Sequence, residues 1–216
     1  MVTFKKVSKL FGETAALKDV SFELNKEEFV YITGPSGAGK TTILRLLMGE
    51  ILPDSGEIIV DGKNVAKIPP KDIPAYRQKI GVVFQDFKVL PERTVRENVE
   101  VALAVIGVDE KQWKERVNHV LKMTELLDRA EFFPSQLSGG ELQRLSLARA
   151  LVVNPKMILA DEPTGNLDWK IAEEIMELFE KINKEGKTII MATHNRMLVE
   201  KFKKREIRLV NGKIVS

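Results

Sequence analysis

The sequence contains no cysteine, and this absence excludes several classes of site. Thiolate metal centres, dithiol redox motifs and thiol nucleophiles all need a cysteine side chain, so none of them operates here. A reducing compartment such as the cytoplasm fits this composition. The chemistry of the protein must therefore come from other side chains.

Long apolar runs are missing as well. A helix needs roughly 20 consecutive apolar residues to cross a bilayer, and no run in the chain approaches that length. The start, Met1–Lys6, lacks the apolar region of a signal peptide. If the protein acts at a membrane, we expect another subunit to supply the span.

Strong charge of either sign is also lacking, because 34 Lys and Arg residues stand against 31 Asp and Glu residues, a net charge of +3. The longest basic cluster, Lys203–Arg205, is interpreted as a solvated face, and we expect no nucleic-acid partner. Hydrophobic residues make up 44% of the chain and charged residues 30%, the balance of a globular protein. A chain of 216 residues can bury a sizeable core without disulfides.

Several short apolar runs predict strands that are buried on both faces. Polar and apolar residues do not alternate within these runs, so we expect a parallel sheet between helices. Apolar residues at helical spacing follow Lys40 and Trp169 and separate the runs. The pattern predicts an α/β fold. The predicted strands are 29–33, 80–84, 157–160 and 188–193.

Two regions depart from this pattern. Residues 2–28 and 56–65 alternate between polar and apolar types, which predicts a small antiparallel sheet. Residues from about 93 to 151 contain no convincing strand and show helical spacing, which predicts an inserted helical subdomain. We therefore predict one domain over residues 1–216. Its core, with the antiparallel part, would comprise 1–85 and 152–216, and its helical subdomain about 86–151.

Residues 34–41, Gly-Pro-Ser-Gly-Ala-Gly-Lys-Thr, fit the phosphate-loop pattern G-x-x-x-x-G-K-[ST] between a predicted strand and a predicted helix. Glycines let backbone N–H groups surround phosphate oxygens, and the helix dipole favours the anion. Lys40 would bind the β- and γ-phosphates, and the Thr41 hydroxyl would help to hold Mg²⁺. A simple glycine-rich helix cap is the alternative, but a lysine at a helix start is disfavoured by the dipole. The loop predicts nucleotide binding.

Asp161 and Glu162 end the predicted strand that begins at Met157. Ligands of α/β sheets bind at such strand ends. Asp161 could hold Mg²⁺ through water, and Glu162 could activate an attacking water. The alternative is an ordinary exposed strand end, which is common for a lone acid pair but is less favoured together with the phosphate loop. His194 ends another predicted strand and is expected at the same sheet edge, beside the γ-phosphate, whereas His119 is given no role.

The segment Leu137–Leu145, Leu-Ser-Gly-Gly-Glu-Leu-Gln-Arg-Leu, begins a predicted helix with Ser138 near its N-cap. In order along the chain, the phosphate loop, Gln85, this segment, the acid pair, Asn166–Asp168 and His194 resemble the ABC ATPase family. The resemblance covers nearly the whole chain. It implies a P-loop NTPase core with a RecA-like parallel sheet, ATP and Mg²⁺ as ligands, hydrolysis of ATP, and a homodimer with two composite sites.

The resemblance also implies roles for single residues. Ser138 and Gly140 would bind the γ-phosphate held by the opposite subunit, which Asp168 would also contact. Gln85 would sense Mg²⁺ and link the core to the helical subdomain. Phe11 would stack on adenine, the alternative being a core position in the first sheet. The predicted catalytic residues are Glu162, His194 and Gln85. The predicted metal-binding residues are Thr41, Gln85 and Asp161. The predicted nucleotide-binding residues are Phe11, Gly34, Pro35, Ser36, Gly37, Ala38, Gly39, Lys40, Thr41, Thr42, Ser138, Gly139, Gly140 and Asp168.

Within the family, residues 82–90, 93–99 and 160–168 resemble the cell-division ATPases of the FtsE type, although Leu142 stands where those often carry Gln. The resemblance implies a permease-like integral membrane partner (FtsX-like) and a place at the cytoplasmic face of the membrane. The stretch 85–90 would line a groove that receives a cytoplasmic helix of that partner. The alternatives are an ATPase of a lipoprotein-release or macrolide-type exporter, a DNA-repair or ribosome-associated ABC ATPase, and a nucleotide-binding scaffold without turnover.

Overall fold

The computed structural model describes residues 1–215. The strands are β1 (Val2–Phe11), β2 (Thr14–Leu24), β3 (Phe29–Thr33), β4 (Ser55–Val60), β5 (Lys63–Asn64), β6 (Ile80–Phe84), β7 (Met157–Asp161), β8 (Thr188–Thr193), β9 (Arg205–Val210) and β10 (Lys213–Val215). The α-helices are α1 (Lys40–Leu47), α2 (Ile73–Arg77), α3 (Val95–Ile106), α4 (Trp113–Met123), α5 (Gly139–Leu151), α6 (Trp169–Lys184) and α7 (Arg196–Lys201). Short 3₁₀ turns lie at Val65–Lys67, Pro70–Asp72, Glu110–Gln112, Leu127–Arg129 and Pro134–Gln136.

Contacts divide the chain into two compact units. The first comprises residues 1–77 together with the residues from 183 onward, and the second comprises residues 78–182. The subdomain boundaries expected from the sequence, near 85 and 151, stay predictions. Among residues 1–215, none of the helices combines the length and apolar character that crossing a membrane requires.

The first unit contains the predicted antiparallel sheet, in the order β2-β1-β4-β5. Its register places Phe4 of β1 opposite Phe22 of β2 and Ile58 of β4. All three side chains are buried, and the two phenylalanine rings stack with their centroids 4.4 Å apart. Alternation along these strands therefore buries one row of apolar side chains, as the sequence predicts.

The same unit contains parallel strands. β3 pairs in parallel with β8 on one side and with β9 on the other, and β10 closes against β9 as an antiparallel hairpin. Every residue of β3 and β8 is buried, which explains their uninterrupted apolar sequence. Helix α1 leaves the end of β3 and buries Ile43, Leu44, Leu46 and Leu47. The predicted α/β architecture is confirmed.

The second unit carries the parallel pair β6 and β7 with helices α3 to α6. Residues 93–151 hold three α-helices and no strand, so the predicted helical stretch is confirmed. Thr94 caps α3, because its hydroxyl accepts from the Glu97 N–H while the Glu97 carboxylate accepts from the Thr94 N–H. Gly107, in the left-handed conformation, ends the same helix.

A fully buried asparagine, Asn98 of α3, organises the chain before this helix. Its Oδ1 accepts from the Leu90 N–H at 2.8 Å. Its Nδ2 donates to the carbonyls of Leu90 at 3.0 Å, Arg93 at 2.9 Å and Thr94 at 3.0 Å. The side chain thus satisfies backbone groups of a loop that has no ladder of its own. Gln143 of α5 is also fully buried, but neither of its amide atoms has a hydrogen-bond partner among residues 1–215.

We expect replacement of these two buried amides by apolar side chains to have opposite effects on stability. Asn98→Leu removes four hydrogen bonds and takes from the Leu90 N–H and the Arg93 carbonyl the partner that the side chain gives them, so we expect it to lower the free energy of unfolding by about 1–3 kcal/mol. Gln143→Met keeps the length of the side chain and removes an unsatisfied amide, so we expect stability to be unchanged or to rise by about 1 kcal/mol. Thermal midpoints measure both, at about 2–4 °C per kcal/mol for a chain of this size. A drop for Gln143→Met as large as that for Asn98→Leu would contradict the prediction.

Candidate functional site

The phosphate loop joins β3 to α1, as the sequence predicts. Gly39 immediately precedes the helix with φ 106°, and a Cβ there would lie 2.5 Å from the Ala16 carbonyl oxygen. Only glycine fits both conditions. The Gly39 carbonyl accepts from the Ile43 N–H at 3.1 Å, so the loop leads directly into the first helical turn. The tip of the loop, residues 35–37, is exposed.

Lys40 is the first residue of α1 and is 8% exposed. Its Nζ donates to the Gly34 carbonyl at 2.9 Å and to the Pro35 carbonyl at 3.3 Å. The ammonium is therefore held inside the loop that surrounds it. A positive charge fixed at a helix N-terminus, next to exposed glycine-rich backbone, suits a polyanion such as a triphosphate.

His194 lies next to this loop. It lines a cavity of about 250 Å³ together with Gly34 and Pro35. The segment that carries it is fixed by Asn195, whose N–H donates to Thr193 Oγ1 at 3.0 Å. The Asn195 side chain in turn caps α7 by accepting from the Leu198 N–H at 3.2 Å. The first unit thus brings the predicted His194 and the phosphate loop together.

Glu206 of β9 adds a contact that the sequence analysis missed. Its carboxylate accepts from Thr33 Oγ1, on the strand that leads into the phosphate loop, and from Arg196 Nη1 at 3.1 Å, just after His194. Thr33 and Arg196 both line the cavity beside His194. The carboxylate therefore connects the two segments that flank this cavity. Strand pairing alone aligns Glu206 with β3, and no local motif marks it.

Phe11 is 45% exposed at the end of β1, with Lys9 Nζ 5.7 Å from its ring centroid. The alternative placement of Phe11 in the core of the first sheet is therefore wrong. An exposed ring beside an ammonium has the geometry of a weak cation–π contact. Its role in stacking on adenine stays a prediction.

In the second unit, the acid pair follows β7. Asp161 is the last residue of the strand, and both carboxylic side chains are half-buried. Glu162 has φ 48°, a left-handed conformation that is uncommon for residues other than glycine. A turn supports it, because the Gly165 N–H donates to the Glu162 carbonyl at 3.0 Å. Such strained backbone is retained where a side chain must be aimed in one direction.

Gln85 and Asn166 hold each other in the same unit. Gln85 Nε2 donates to Asn166 Oδ1 at 3.0 Å, and Asn166 Nδ2 donates to the Gln85 carbonyl at 3.3 Å. The Gln85 side chain is exposed, and its amide nitrogen is engaged by Asn166. In the sequence, Asn166 belongs to the motif 166–168 without a predicted site role. The structure identifies it as the residue that orients Gln85.

Ser138 is the N-cap of α5, as predicted. Its hydroxyl accepts from the Glu141 N–H at 3.3 Å, and its own N–H donates to Glu141 Oε2 at 2.8 Å. The hydrogen bond from the Ser138 N–H is the largest of several effects that lower the pKa of the Glu141 carboxyl. Ser138 and Gly139 are exposed, whereas Gly140 is buried. A Cβ on Gly140 would lie 2.6 Å from Ile171 Cγ2, so only glycine permits this approach of α5 to α6.

Asp168 has a structural contact in addition to the predicted one with an opposite subunit. Its Oδ1 accepts from the Ile171 N–H at 3.0 Å, and its carbonyl accepts from the Ala172 N–H at 2.8 Å. Asp168 therefore caps α6. The second unit thus contains two capped helix starts in addition to Gln85, Asp161 and Glu162, while the first contains the phosphate loop, Phe11 and His194.

Comparison with known proteins identifies the family. The family model described as "ABC transporter" matches residues 17–165. The "Cell division ATP-binding protein FtsE" of Streptococcus pneumoniae serotype 2 is 49% identical over 97% of this chain and 91% of its own length. The FtsE protein of Bacillus subtilis is 48% identical over 100% and 95% of the two chains. A dimeric post-hydrolysis structure of the ATP-binding cassette MJ0796, bound to ADP and Pi, is 39% identical, has a TM-score of 0.88 and aligns over 100% of this chain and 97% of that one. The order of motifs in the sequence and these matches agree: the chain belongs to the ABC transporter family, as one of its ATP-hydrolysing subunits.

Proposed function

We propose that this chain is the ATPase subunit of a cell-division complex, in which ATP binding and hydrolysis act on a permease-like, FtsX-like membrane subunit. The observation that carries this proposal is the match to FtsE proteins over almost the full length of both chains, at 49% and 48% identity. The chain would work as a homodimer at the cytoplasmic face of the membrane, held there by its partner.

In the proposed reaction, the phosphate loop binds the triphosphate. Backbone N–H groups of residues 35–42 surround the phosphate oxygens, and Lys40 neutralises the β- and γ-phosphates. The burial of Lys40 within the loop supports this role, since a charge that is already fixed loses little freedom on binding. Phe11 stacks on the adenine, and its exposed ring supports this position.

The proposed Mg²⁺ ligands are Thr41, Gln85 and Asp161. A hydroxyl, an amide oxygen and a carboxylate are the hard oxygen donors that Mg²⁺ prefers. The role of Gln85 is supported by Asn166, which accepts a hydrogen bond from the amide nitrogen of Gln85 at 3.0 Å and thereby orients its side chain. The ion, when bound, neutralises charge that develops on the phosphates.

Glu162 is the proposed general base. Its carboxylate takes the proton of the attacking water. Its left-handed backbone conformation supports this role, because it fixes the direction of the side chain. His194, which lines the cavity beside the phosphate loop, contacts the γ-phosphate. The start of α5 offers N–H groups to an anion. Through it, the γ-phosphate of the ATP held by the opposite subunit is bound by Ser138, Gly139 and Gly140. The dimeric state of the MJ0796 cassette supports this pairing.

A mixing experiment tests the paired site. Lys40→Ala and Ser138→Arg are each expected to be inactive alone, whereas their heterodimer has one site with both defects and one with neither. Random pairing at equal amounts should restore at most about a quarter of the wild-type ATPase rate, if each intact site turns over independently. Phosphate release measures the rate.

Ser135→Arg provides the matched control, because Ser135 is exposed three residues before Ser138 and lies outside the proposed site. This control should keep wild-type activity. Full activity of Ser138→Arg alone at every protein concentration would contradict the paired site. Absence of any membrane subunit from wild-type protein purified with its native membranes would contradict the cell-division role.

A further inference from the structure

The strand end that carries Phe11 lies beside the phosphate loop. Phe11 is the last residue of β1, which continues into β2 through a short turn. We call residues 9–17 the Phe11 hairpin. On its β2 side, the Ala16 carbonyl oxygen approaches Gly39 of the phosphate loop so closely that a Cβ on Gly39 would lie 2.5 Å from it. A nucleotide whose phosphates occupy the loop therefore has this hairpin as a neighbour.

The β1 edge of the Phe11 hairpin has no paired strand within residues 1–215. The register between β1 and β4 ends with Ser8 opposite Ser55. Beyond this point β1 continues to pair with β2, from Lys9 as far as Phe11. A two-stranded hairpin is only marginally stable by itself. The position of Phe11 therefore depends on contacts that the hairpin makes along this unpaired edge.

Asp54, the residue before β4, makes these contacts. Its Oδ2 accepts from the Leu10 N–H at 2.6 Å, and its Oδ1 accepts from Lys9 Nζ at 3.2 Å. The Asp54 N–H donates to the Ser8 carbonyl at 3.0 Å. The hydrogen bond from the Leu10 N–H is the largest of several effects that lower the pKa of the Asp54 carboxyl. A single residue thus binds the edge of β1 where its pairing with β4 has ended.

Lys9 connects Asp54 to the aromatic ring. Its side chain is only 15% exposed, which is low for a lysine. Its Nζ lies over the Phe11 ring, 5.7 Å from the centroid, so the ammonium is held between the carboxylate and the ring. Because the ammonium covers one face of the ring, the opposite face is the one that can stack on a base.

We propose that Asp54 is a positioning residue for the base of the nucleotide: it fixes the Phe11 hairpin and, through Lys9, the ring on which the base stacks. This inference rests on the proposed function, because it takes Phe11 as the stacking residue. A ring that is already fixed loses little freedom when the base binds. The phosphates contact another part of the site. Asp54 should therefore contribute to the affinity for a nucleotide but not to the affinity for its phosphates alone.

A comparison of ATP with inorganic triphosphate tests this inference. Asp54→Ala removes both side-chain hydrogen bonds from the hairpin, so we expect the affinity for ATP to fall at least ~3-fold, a part of the roughly 5- to 150-fold effect of losing a stacked ring. The affinity for inorganic triphosphate with Mg²⁺ should stay within about twofold of the wild type, since the phosphate loop and its lysine are unchanged. Displacement of a fluorescent ATP analogue, whose own affinity is first measured for each variant, gives both values.

The same substitution in a Phe11→Ala chain shows whether Asp54 acts through the ring. With the ring already absent, Asp54→Ala should change the affinity for ATP by less than about twofold, because the two substitutions remove the same interaction. Asp54→Asn keeps an acceptor for the Leu10 N–H but loses the charge that holds Lys9. An intermediate loss of affinity for ATP is expected for this variant.

Asp72→Ala is the matched control, because it removes an exposed carboxylate of the same unit outside β1 and β4. It should bind ATP and inorganic triphosphate as the wild type does. An equal loss of affinity for both ligands in Asp54→Ala would overturn the proposal, since the effect would then lie in the phosphate loop or in folding. Unchanged affinity for ATP in Asp54→Ala, with weaker binding by Phe11→Ala, would overturn it while the stacking role of Phe11 stands. If Phe11→Ala binds ATP as the wild type does, the stacking role itself is wrong, and the positioning role of Asp54 is wrong with it.

Discussion

Replacing Glu162 with Gln is expected to lower the ATPase rate by about 10²–10⁴, the usual effect of losing a general base. The amide keeps the shape of the side chain and its left-handed backbone position, but it cannot accept the proton of the attacking water. ATP binding should be retained. A long-lived dimer with bound ATP should therefore accumulate, which size-exclusion chromatography and phosphate release can detect together.

Glu177→Gln is the matched control for this substitution. Glu177 is an exposed carboxylate on α6, and its replacement removes the same charge away from the strand end. We expect wild-type turnover for this variant. Hydrolysis at the wild-type rate by Glu162→Gln would show that another group takes the proton.

Replacing Lys40 with Ala is expected to abolish measurable ATP binding at ordinary concentrations. Removing one partner of a buried, hydrogen-bonded charge pair costs about 2–5 kcal/mol, which corresponds to roughly 30-fold to several-thousandfold weaker binding. The ammonium lies inside the loop and donates to two of its carbonyls, so no other lysine can replace it there. Equilibrium binding of a fluorescent ATP analogue measures the change.

Lys63→Ala, at an exposed position of β5, is the control for loss of one positive charge. Its affinity for ATP should equal that of the wild type. Thermal melting of Lys40→Ala checks that the loop still folds without its central ammonium. Affinity within a factor of three of the wild type in a folded Lys40→Ala chain would remove Lys40 from the proposed site.

The sequence predicts the buried strands well because the pattern that indicates them lies in residues that are adjacent in the chain. Residues 29–33 and 188–193 are buried at every position, so an uninterrupted apolar run indicates them with the correct ends. The phosphate loop is equally local, since glycine positions, lysine and the following helix all lie within a few residues. The cap at Ser138 follows from its own segment for the same reason.

The features that the sequence analysis missed depend on residues far apart in the chain. Glu206 contacts Thr33 only because β9 pairs with β3. Asn166 orients Gln85 across 81 positions of sequence. Within residues 1–215, the buried Arg149 Nε has no hydrogen-bond partner; this depends on everything packed around it, and no spacing of residues encodes it. Strained backbone at Glu162 is likewise set by the turn that follows the strand.

The close approach of α5 to α6 has a mechanical consequence. Gly140 sits so near Ile171 that a single added carbon would collide, and a carbon added at Gly139 would meet Leu167 at 3.4 Å. The caps of the two helices, Ser138 and Asp168, therefore lie on one stiff block. In the proposed dimer, a displacement of either helix start would carry the other with it, so an opposite subunit would meet both residues at a fixed separation. Docking and release of that block would be a single step, with both contacts formed or broken together.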